Sequence, residues 1–451
     1  MADLAAGIIV GIVALPLSMA LAISVGLNPV VGLYTAATAG LVAAIFSGAH
    51  FNVSGPAAAM VPILAGIYIS VGKDFSKLQY IGFLAGIFLL VFGLLRIGQL
   101  IKHVPHAVTV GFTAGIALTI FLGQIPSFLG LSKLGTYDKF HDKTWDTIQH
   151  LGTTQWAALL IGVIAILLIL YTQKVKPFRK IPSTLVAVVV TTLLVKFMPL
   201  FENVKTISDK FGDIPAGLPL PSLMAIQSNF NSTGSFIIPA LKIAFLISIE
   251  SLLCAVVADK LSNNRHRSNQ ELVAQGIGNL TAPLFGGFAS TAVIARTGTI
   301  VKSGAKSRVA AMIHALIIII FIVALSPIAG SFPLPALSAI LLVTAWRISE
   351  RKEVQEMLRN DNAIVKITLI LTFLLTVFTD LTIGVGVGVV FYYFAKGITH
   401  EARVLPGESF DEDAIADPDE LEEAGVDEDR PHGKKSFRPQ IKKFFNINKS
   451  E

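Results

Sequence analysis

Apolar residues run along this chain in long blocks separated by short charged or Pro/Gly punctuation, and the blocks, more than any polar alternation, set the pattern. Reading from one break to the next places hydrophobic spans near 4–26, 29–47, 56–72, 80–98, 105–123, 156–172, 181–198, 236–258, 271–285, 292–302, 309–329, 334–347, 365–378 and 381–397. A full helical crossing takes about 20 apolar residues. The third and tenth stretches are punctuated early or too short, and read as half-helices that start inside the membrane. Span 1 begins near Leu4 and the short third near Pro56; span 8 begins near Phe236 and the short tenth near Ala292, so the offsets nearly agree. Seven spans followed by seven, each half with a shortened third member, is the spacing of an inverted repeat. The expected fold class is an all-α polytopic membrane protein with fourteen transmembrane segments in a seven-plus-seven inverted repeat.

Composition agrees: 53% of the 451 residues are hydrophobic and 15% charged, far from a soluble globular protein. The net charge of +6 gains meaning only when its residues are placed on a side. Lys and Arg gather after even-numbered spans: Arg96 and Lys102; Lys174, Lys176, Arg179 and Lys180; Lys260, Arg265 and Arg267; Lys302, Lys306 and Arg308; Arg347, Arg351, Lys352 and Arg359. The long loops 124–155 and 199–235 mix Lys with Asp and Glu. Basic loops stay cytoplasmic, so both termini are expected in the cytoplasm and the chain in the cell's inner (plasma) membrane, multi-pass. The run from Leu4 to Val25 is too long for a cleavable signal and reads as the first span. A lone cysteine, Cys254, excludes internal disulfides. Beyond Leu405, residues Glu408–Arg430 are acidic and Pro-punctuated and are expected to be disordered. Lys434–Lys449 is basic with three phenylalanines, which suits either a solvated tail or anionic headgroups. The domains are then 1–400 for transport and a cytoplasmic tail over 401–451.

The candidate chemistry centres on Phe285–Lys302, where Arg296 sits in an apolar, Gly- and Thr-rich segment. A charge at membrane depth costs at least about 2.5 kcal/mol, so such a residue faces a cavity or a partner; in a cytoplasmic loop it would cost nothing. If a half-helix starts near Ala292, its free N–H groups and positive dipole end meet Arg296 to make an anion site, with Ser290 and Thr291 beside it. In the first half Asn52–Met60 faces it: Ser54 or Gly55 would cap a helix beginning at Pro56, and Ala57 and its neighbours allow close approach. Two N-termini aimed at each other across a gap would share one small anion. Glu250 lies mid-span in Ile249–Cys254. A carboxylate there is costly to keep ionised, so it can exchange a proton, pair with Arg296, or do each in a different state. Gln124 and Asn279 read as helix-end satisfiers, His314 as a hydrogen-bonded interfacial histidine, and Gly384–Gly388 as close packing. With no HExxH, no paired intramembrane aspartates and no nucleophile elbow, an enzyme, a metal site, a cofactor and a nucleic-acid partner are not expected.

These motifs together resemble the sulfate permease (SulP) family of anion transporters. The matching stretches are Val13–Ala22, Gly32–Tyr34, Val53–Pro56, Gly111–Ile116, Ile249–Asp259, Asn269–Asn279, Phe285–Gly287 with Ile294–Thr297, and Thr379–Gly388. The resemblance implies a core domain (about 4–98 and 236–329) and a gate domain (about 105–198 and 334–397). It also implies an anion between the ends of spans 3 and 10, homodimers, and an elevator-like movement of core past gate. Sulfate, bicarbonate, chloride and dicarboxylates all suit such a pocket. Family members usually continue into a STAS domain, whereas the tail after span 14 is short and polar and is expected to lack one. Sodium-coupled bicarbonate relatives tend to carry Asp at the Glu250 position and a hydroxyl one turn later; here that later residue is Cys254, a poor ligand for a hard cation, which favours proton over sodium coupling. An exchanger or channel on the same scaffold, sodium-coupled bicarbonate uptake and a nucleobase symporter are the rivals.

Overall fold

Two residues of strand on each side, paired with each other deep in the protein, tie together an otherwise helical chain. The computed structural model describes residues 1–99, 104–135, 137, 140–174, 181–379 and 381–399. Lys102, Lys176, Arg179, Lys180 and the expected tail 401–451 lie outside them. The first part contains α1 (Ala2–Val25), α2 (Pro29–Phe46), β1 (Ser54–Gly55), α3 (Val61–Ser70), α4 (Phe75–Leu94), α5 (His106–Phe128), α6 (Phe140–Gln149), α7 (Trp156–Tyr171) and α8 (Ser183–Phe197). There follow α9 (Ile207–Phe211), α10 (Met224–Asn229), α11 (Thr233–Ser262), α12 (Ser268–Leu284), β2 (Thr291–Ala292), α13 (Ile294–Lys302), α14 (Val309–Ala324) and α15 (Ser326–Ala329). The last are α16 (Leu334–Ile348), α17 (Arg351–Asn360), α18 (Ala363–Phe378) and α19 (Leu381–Thr399).

Local chemistry sets several of these ends. Asn28 accepts the Val30 N–H with Pro29 opening α2, while Asp74 accepts the Ser76 and Lys77 N–H groups at the start of α4. Gly26 takes the left-handed conformation that stops α1. The stretches 2–25, 29–46, 75–94, 106–128 and 224–262 are each long and apolar enough to cross a bilayer, and six shorter apolar helical stretches accompany them. Large apolar side chains such as Leu160 and Leu167 of α7, Leu193 of α8, Ile320 and Val323 of α14, and Ile367 and Leu374 of α18 stand exposed. An outer surface of this kind suits lipid and not water.

Helix packing sorts the chain into two groups. One joins α1, α2, α4, α11, α12 and α14, in which α12 lies on α4 and α2, and α14 on α1 and α2. The other joins α5, α7, α8, α16, α18 and α19 around α5, α16 and α18. Close approach in the first group is literal: a Cβ on Gly86 of α4 would come within 2.8 Å of the Leu280 backbone nitrogen in α12. Between the groups, α1 touches α16 and α8, and α3 touches α5.

Candidate functional site

The site is built from two stretches of non-helical chain, 47–57 and 285–293, that run between helices through the interior. At membrane depth such backbone survives only if protein groups take up its N–H and C=O groups. Helix α12 supplies most of them from one face, because Glu271, Gln275 and Asn279 follow one another at intervals of four. The Glu271 carboxylate is fully buried and accepts from the Ser47 hydroxyl at 2.6 Å and the Gly48 and Ala49 N–H groups at 3.1 and 3.3 Å. It also accepts from Asn52 Nδ2 and Gln275 Nε2, both at 2.9 Å. Gln275 Nε2 donates in addition to the Ser54 hydroxyl at 2.7 Å. Because both amide nitrogens turn toward one carboxylate, Asn52 Oδ1 and Gln275 Oε1 are left without donors. One turn further, Asn279 brackets Ser290: its Nδ2 donates to the Ser290 carbonyl at 2.9 Å and its Oδ1 accepts the Ser290 N–H at 2.8 Å. On the outer side of 285–293, Gln79 donates to the Pro283 and Gly287 carbonyls, and Thr35 accepts the Phe288 N–H.

Held in this way, the two stretches pair. β1 and β2 are antiparallel with Ser54 opposite Ala292 and Gly55 opposite Thr291, and the Val293 N–H donates to the Val53 carbonyl. Past the strands the chain turns helical in both halves, into α3 and α13. The helix expected to begin at Pro56 with Ser54 or Gly55 as its cap begins later: Pro56 and Ala57 stay outside it, a single 3₁₀ turn covers Ala58–Met60, and α3 starts at Val61. The reason is that 54–55 spends its backbone on β2 and the Ser54 hydroxyl on Gln275. The expected gap between two helix ends is likewise bridged here by strand pairing. In the second half α13 starts at Ile294 and places Arg296 in its first turn, as the half-helix reading expects.

Arg296 is 1% exposed, the bulkiest fully buried side chain described. Its Nη2 donates to the Ser18 hydroxyl of α1 at 3.0 Å and to the Pro56 carbonyl at 3.4 Å, while Nε and Nη1 have no partner. Gly55 is what admits it. A Cβ there would lie 2.6 Å from Arg296 Nη1, and the residue's φ of 157° is one that side-chain-bearing residues rarely adopt. Thr297, next along α13, accepts from the Val53 N–H at 3.0 Å and from the Cys254 thiol at 3.1 Å, which fastens the residue before β1 and helix α11 to one hydroxyl of α13. Thr291 donates from its own hydroxyl to the Ile247 carbonyl of α11, and the Ser290 hydroxyl is buried without a partner.

Glu250 faces the same interior from α11, 9% exposed, with Oε2 unpartnered. Of the alternatives open for Glu250, pairing with Arg296 is not seen in this structure: among the described residues no ion pair joins them, and the guanidinium is turned to Ser18 and Pro56. Three further readings are corrected. Asn279 is fully buried at the centre of the site and is no helix-end satisfier. Gln124 of α5 donates to the Ser24 hydroxyl of α1, a hydrogen bond from one helix group to the other. His314 is fully buried in α14, with both ring nitrogens unpartnered. Glu271 and Ser18 lay inside the motifs that carried the resemblance, but sequence alone gave neither a role; the four-residue spacing of Glu271, Gln275 and Asn279 was the available signal.

A family model described as the sulfate permease family matches residues 1–371, more than four fifths of the chain. The chain belongs to the sulfate permease family. This family member is 42% identical to YvdB of Bacillus subtilis (strain 168) over 405 residues, 89% of this chain and 75% of that protein. It is 28% identical to the bicarbonate transporter BicA of Picosynechococcus sp. (strain ATCC 27264 / PCC 7002 / PR-6) over 408 residues, 86% of this chain and 68% of that one. Among solved structures, the transmembrane domain of a cyanobacterial bicarbonate transporter BicA matches with a TM-score of 0.73 at 26% identity, covering 87% of this chain and 97% of that chain. The overall structure of SLC26A9 shares the fold at a TM-score of 0.78 and 20% identity, covering 89% of this chain and 66% of that one. The relatives are transporters, not enzymes, and with several apolar helices this family member is a multi-pass membrane protein that serves anion transport.

Proposed function

We propose that the protein is a proton-coupled secondary transporter of a small anion of the sulfate, bicarbonate or dicarboxylate class, working by elevator-like alternating access across fourteen spans arranged as a seven-plus-seven inverted repeat. The observation that carries this reading is Arg296: a buried guanidinium with two unspent N–H-bearing nitrogens, in the first turn of α13, whose leading N–H groups its own helix does not use. Substrate would enter that field near Ser54, Gly55, Pro56, Ala57, Ser290, Thr291 and Ala292, taking up Nε and Nη1 and the idle Ser290 hydroxyl. The group containing α1–α4 and α11–α14 acts as the core and carries the anion; the group containing α5, α7, α8, α16, α18 and α19 acts as the gate, and both termini are cytoplasmic. A homodimer would form in the membrane.

Among the described residues no ion pair reaches Glu250, whose Oε2 has no partner, so protonation removes a negative charge that would oppose an entering anion. Proton and anion then travel together. Cys254 spends its thiol on Thr297, which leaves the position one turn after Glu250 without a hard oxygen donor for sodium. The test is uptake of radiolabelled sulfate, bicarbonate and succinate into proteoliposomes under an imposed pH or sodium gradient, for the wild type and Glu250→Gln. Uptake of at least one anion should be driven by an inward proton gradient, and E250Q should bind substrate yet ignore that gradient. A sodium-driven wild type, or an E250Q that still answers fully to pH, contradicts the coupling.

A further inference from the structure

One end of the first helix group carries a basic face, and the chain holds an acidic segment that can reach it. The α11–α12 turn and the α13–α14 loop meet there around the end of α2. Arg267 donates its N–H to the Gly48 carbonyl, Gln270 its amide to the Phe46 carbonyl, and Arg308 its guanidinium to the Ile45 carbonyl at 3.5 Å. Leu261 of α11 lies beside Gly298 of α13. The two segments hold Lys260, Arg265, Arg267, Lys302, Lys306 and Arg308, all exposed except the half-buried Arg308. Against these six stand three described carboxylates, each already engaged. Asp259 accepts the His266 N–H, Asp3 the Lys306 and Ser307 N–H groups, and the buried Glu271 the Gly48 and Ala49 N–H groups. Lys260, Arg265 and Arg267 make local interactions of their own, which leave the sum of charge on the face unchanged.

The chain leaves α19 on the same side. α18 runs parallel to α5, since Gly111 faces Leu369 and Gly115 faces Thr376, and α19 returns antiparallel, with Gly384 on Thr376 and Gly388 on Thr372. Thr399 therefore ends on the side where α5 begins. That start follows Gly98 by a stretch that spans at most about 25 Å, too short to cross a bilayer of about 30 Å, and Gly98 lies against Ser268 at the start of α12. Soon after Thr399 comes Glu408 to Asp429, with twelve carboxylates and no Lys or Arg. The seven Lys and Arg from Arg430 to Lys449 are too few to neutralise it. About 30 Å of extended chain joins Glu408 to α19, so the basic face meets the segment at the high effective concentration of a short tether. α17, also on this side, is a poorer partner because it mixes Arg351, Lys352 and Arg359 with Glu353 and Glu356. An anionic leaflet repels the segment outright.

We propose that the acidic segment 408–429 docks on this basic face, across the α11–α12 turn and the α13–α14 loop. α19 belongs to one helix group and the face to the other, so the docked segment is a tether between them. The inference uses the helix packing and not the transport reading, and its test needs no transport. The full chain in phosphatidylcholine nanodiscs, open to reagent on both faces, is treated with a water-soluble carbodiimide. The reagent condenses a carboxylate with a lysine amine touching it into an amide and takes up the water as a urea. Mass spectrometry of the linked peptides should join Lys302 or Lys306 to carboxylates within 408–429. The yield should fall about tenfold between low salt and 0.5 M NaCl, where screening is short-ranged. With the twelve carboxylates changed to Asn or Gln, acetic anhydride should label Lys302 and Lys306 several-fold faster. Links confined to Lys176 or Lys180, which lie outside the described residues, or to lysines of the tail itself, overturn the proposal, as does a yield indifferent to salt. Loss of the link when phosphatidylglycerol replaces a third of the lipid would give the face to anionic headgroups. Links between isotopically heavy and light chains would give it to a second copy; either result overturns the assignment to the chain's own tail. Arg296→Gln leaves the links unchanged, so a failed transport reading and a failed tether give different results.

Discussion

Gly55 and Arg296 constrain each other directly. The guanidinium can lie against β1 only because residue 55 has no Cβ, so Gly55→Ala must either displace Arg296 from Ser18 and Pro56 or distort the strand pairing. Transport should fall to near background in G55A while the protein still elutes as a folded species; uptake within about twofold of wild type would show that the contact is not needed. A second residue answers to pH outside the membrane. Glu350, at the junction of α16 and α17, is enclosed enough that desolvation, with help from Glu353, pushes its pKa up to about 7 against the hydroxyl that Thr113 donates at 3.1 Å. A carboxylate raised in the folded state favours the fold below its ordinary pKa of 4.5, and that contribution is lost as pH rises toward 7. Thermal stability in detergent should therefore drop between pH 5 and pH 8 in the wild type and drop less in Glu350→Gln; identical slopes would remove Glu350 from the pH response.

At the scale of elements, α12 is the scaffold of the site. Truncating Asn279 to Ala removes both bonds to Ser290 and leaves a buried N–H and a buried carbonyl unpaired, a loss of about 1–3 kcal/mol for each unsatisfied group. The melting midpoint of N279A should fall by several degrees, and more than that of a surface control such as Glu356→Ala; an unchanged midpoint would mean water replaces the amide. This scaffold also explains what the sequence made legible. The hydrophobic blocks gave the helices almost to the residue at 29–46, 156–171 and 381–399, because unbroken apolar runs between charged or Pro/Gly breaks leave little choice. The two short helices were readable from their spacing and Arg296 from its isolation in an apolar segment. The strand pairing was not. Two-residue strands carry no periodicity, and their partners lie more than two hundred residues apart, so Pro56 looked like a helix start when Gly55 and Ser54 were already committed to β2. His314 was misread for a related reason, since one polar residue near a helix start says nothing about which neighbours will bury it.

Over the whole molecule, movement of one helix group past the other has to break what joins them. Gln124 of α5 donates to Ser24 of α1 across that boundary. The loop through α9 also bridges outward, with Ser208 bonded to Gly330, Gly217 to Ile322 and Ser222 to Leu284. Replacing Ser24 and Gln124 together by cysteine, with Cys254 buried, should let Hg²⁺ bridge the two groups and stop transport until a thiol is added. Undiminished transport by the bridged protein would argue against relative movement of these helices. The most direct measurement is uptake by Arg296→Gln in proteoliposomes, using whichever anion the wild type takes up, beside the wild type at matched protein content. The account predicts uptake indistinguishable from empty liposomes, with helix content and elution unchanged; accumulation at the wild-type rate would contradict it.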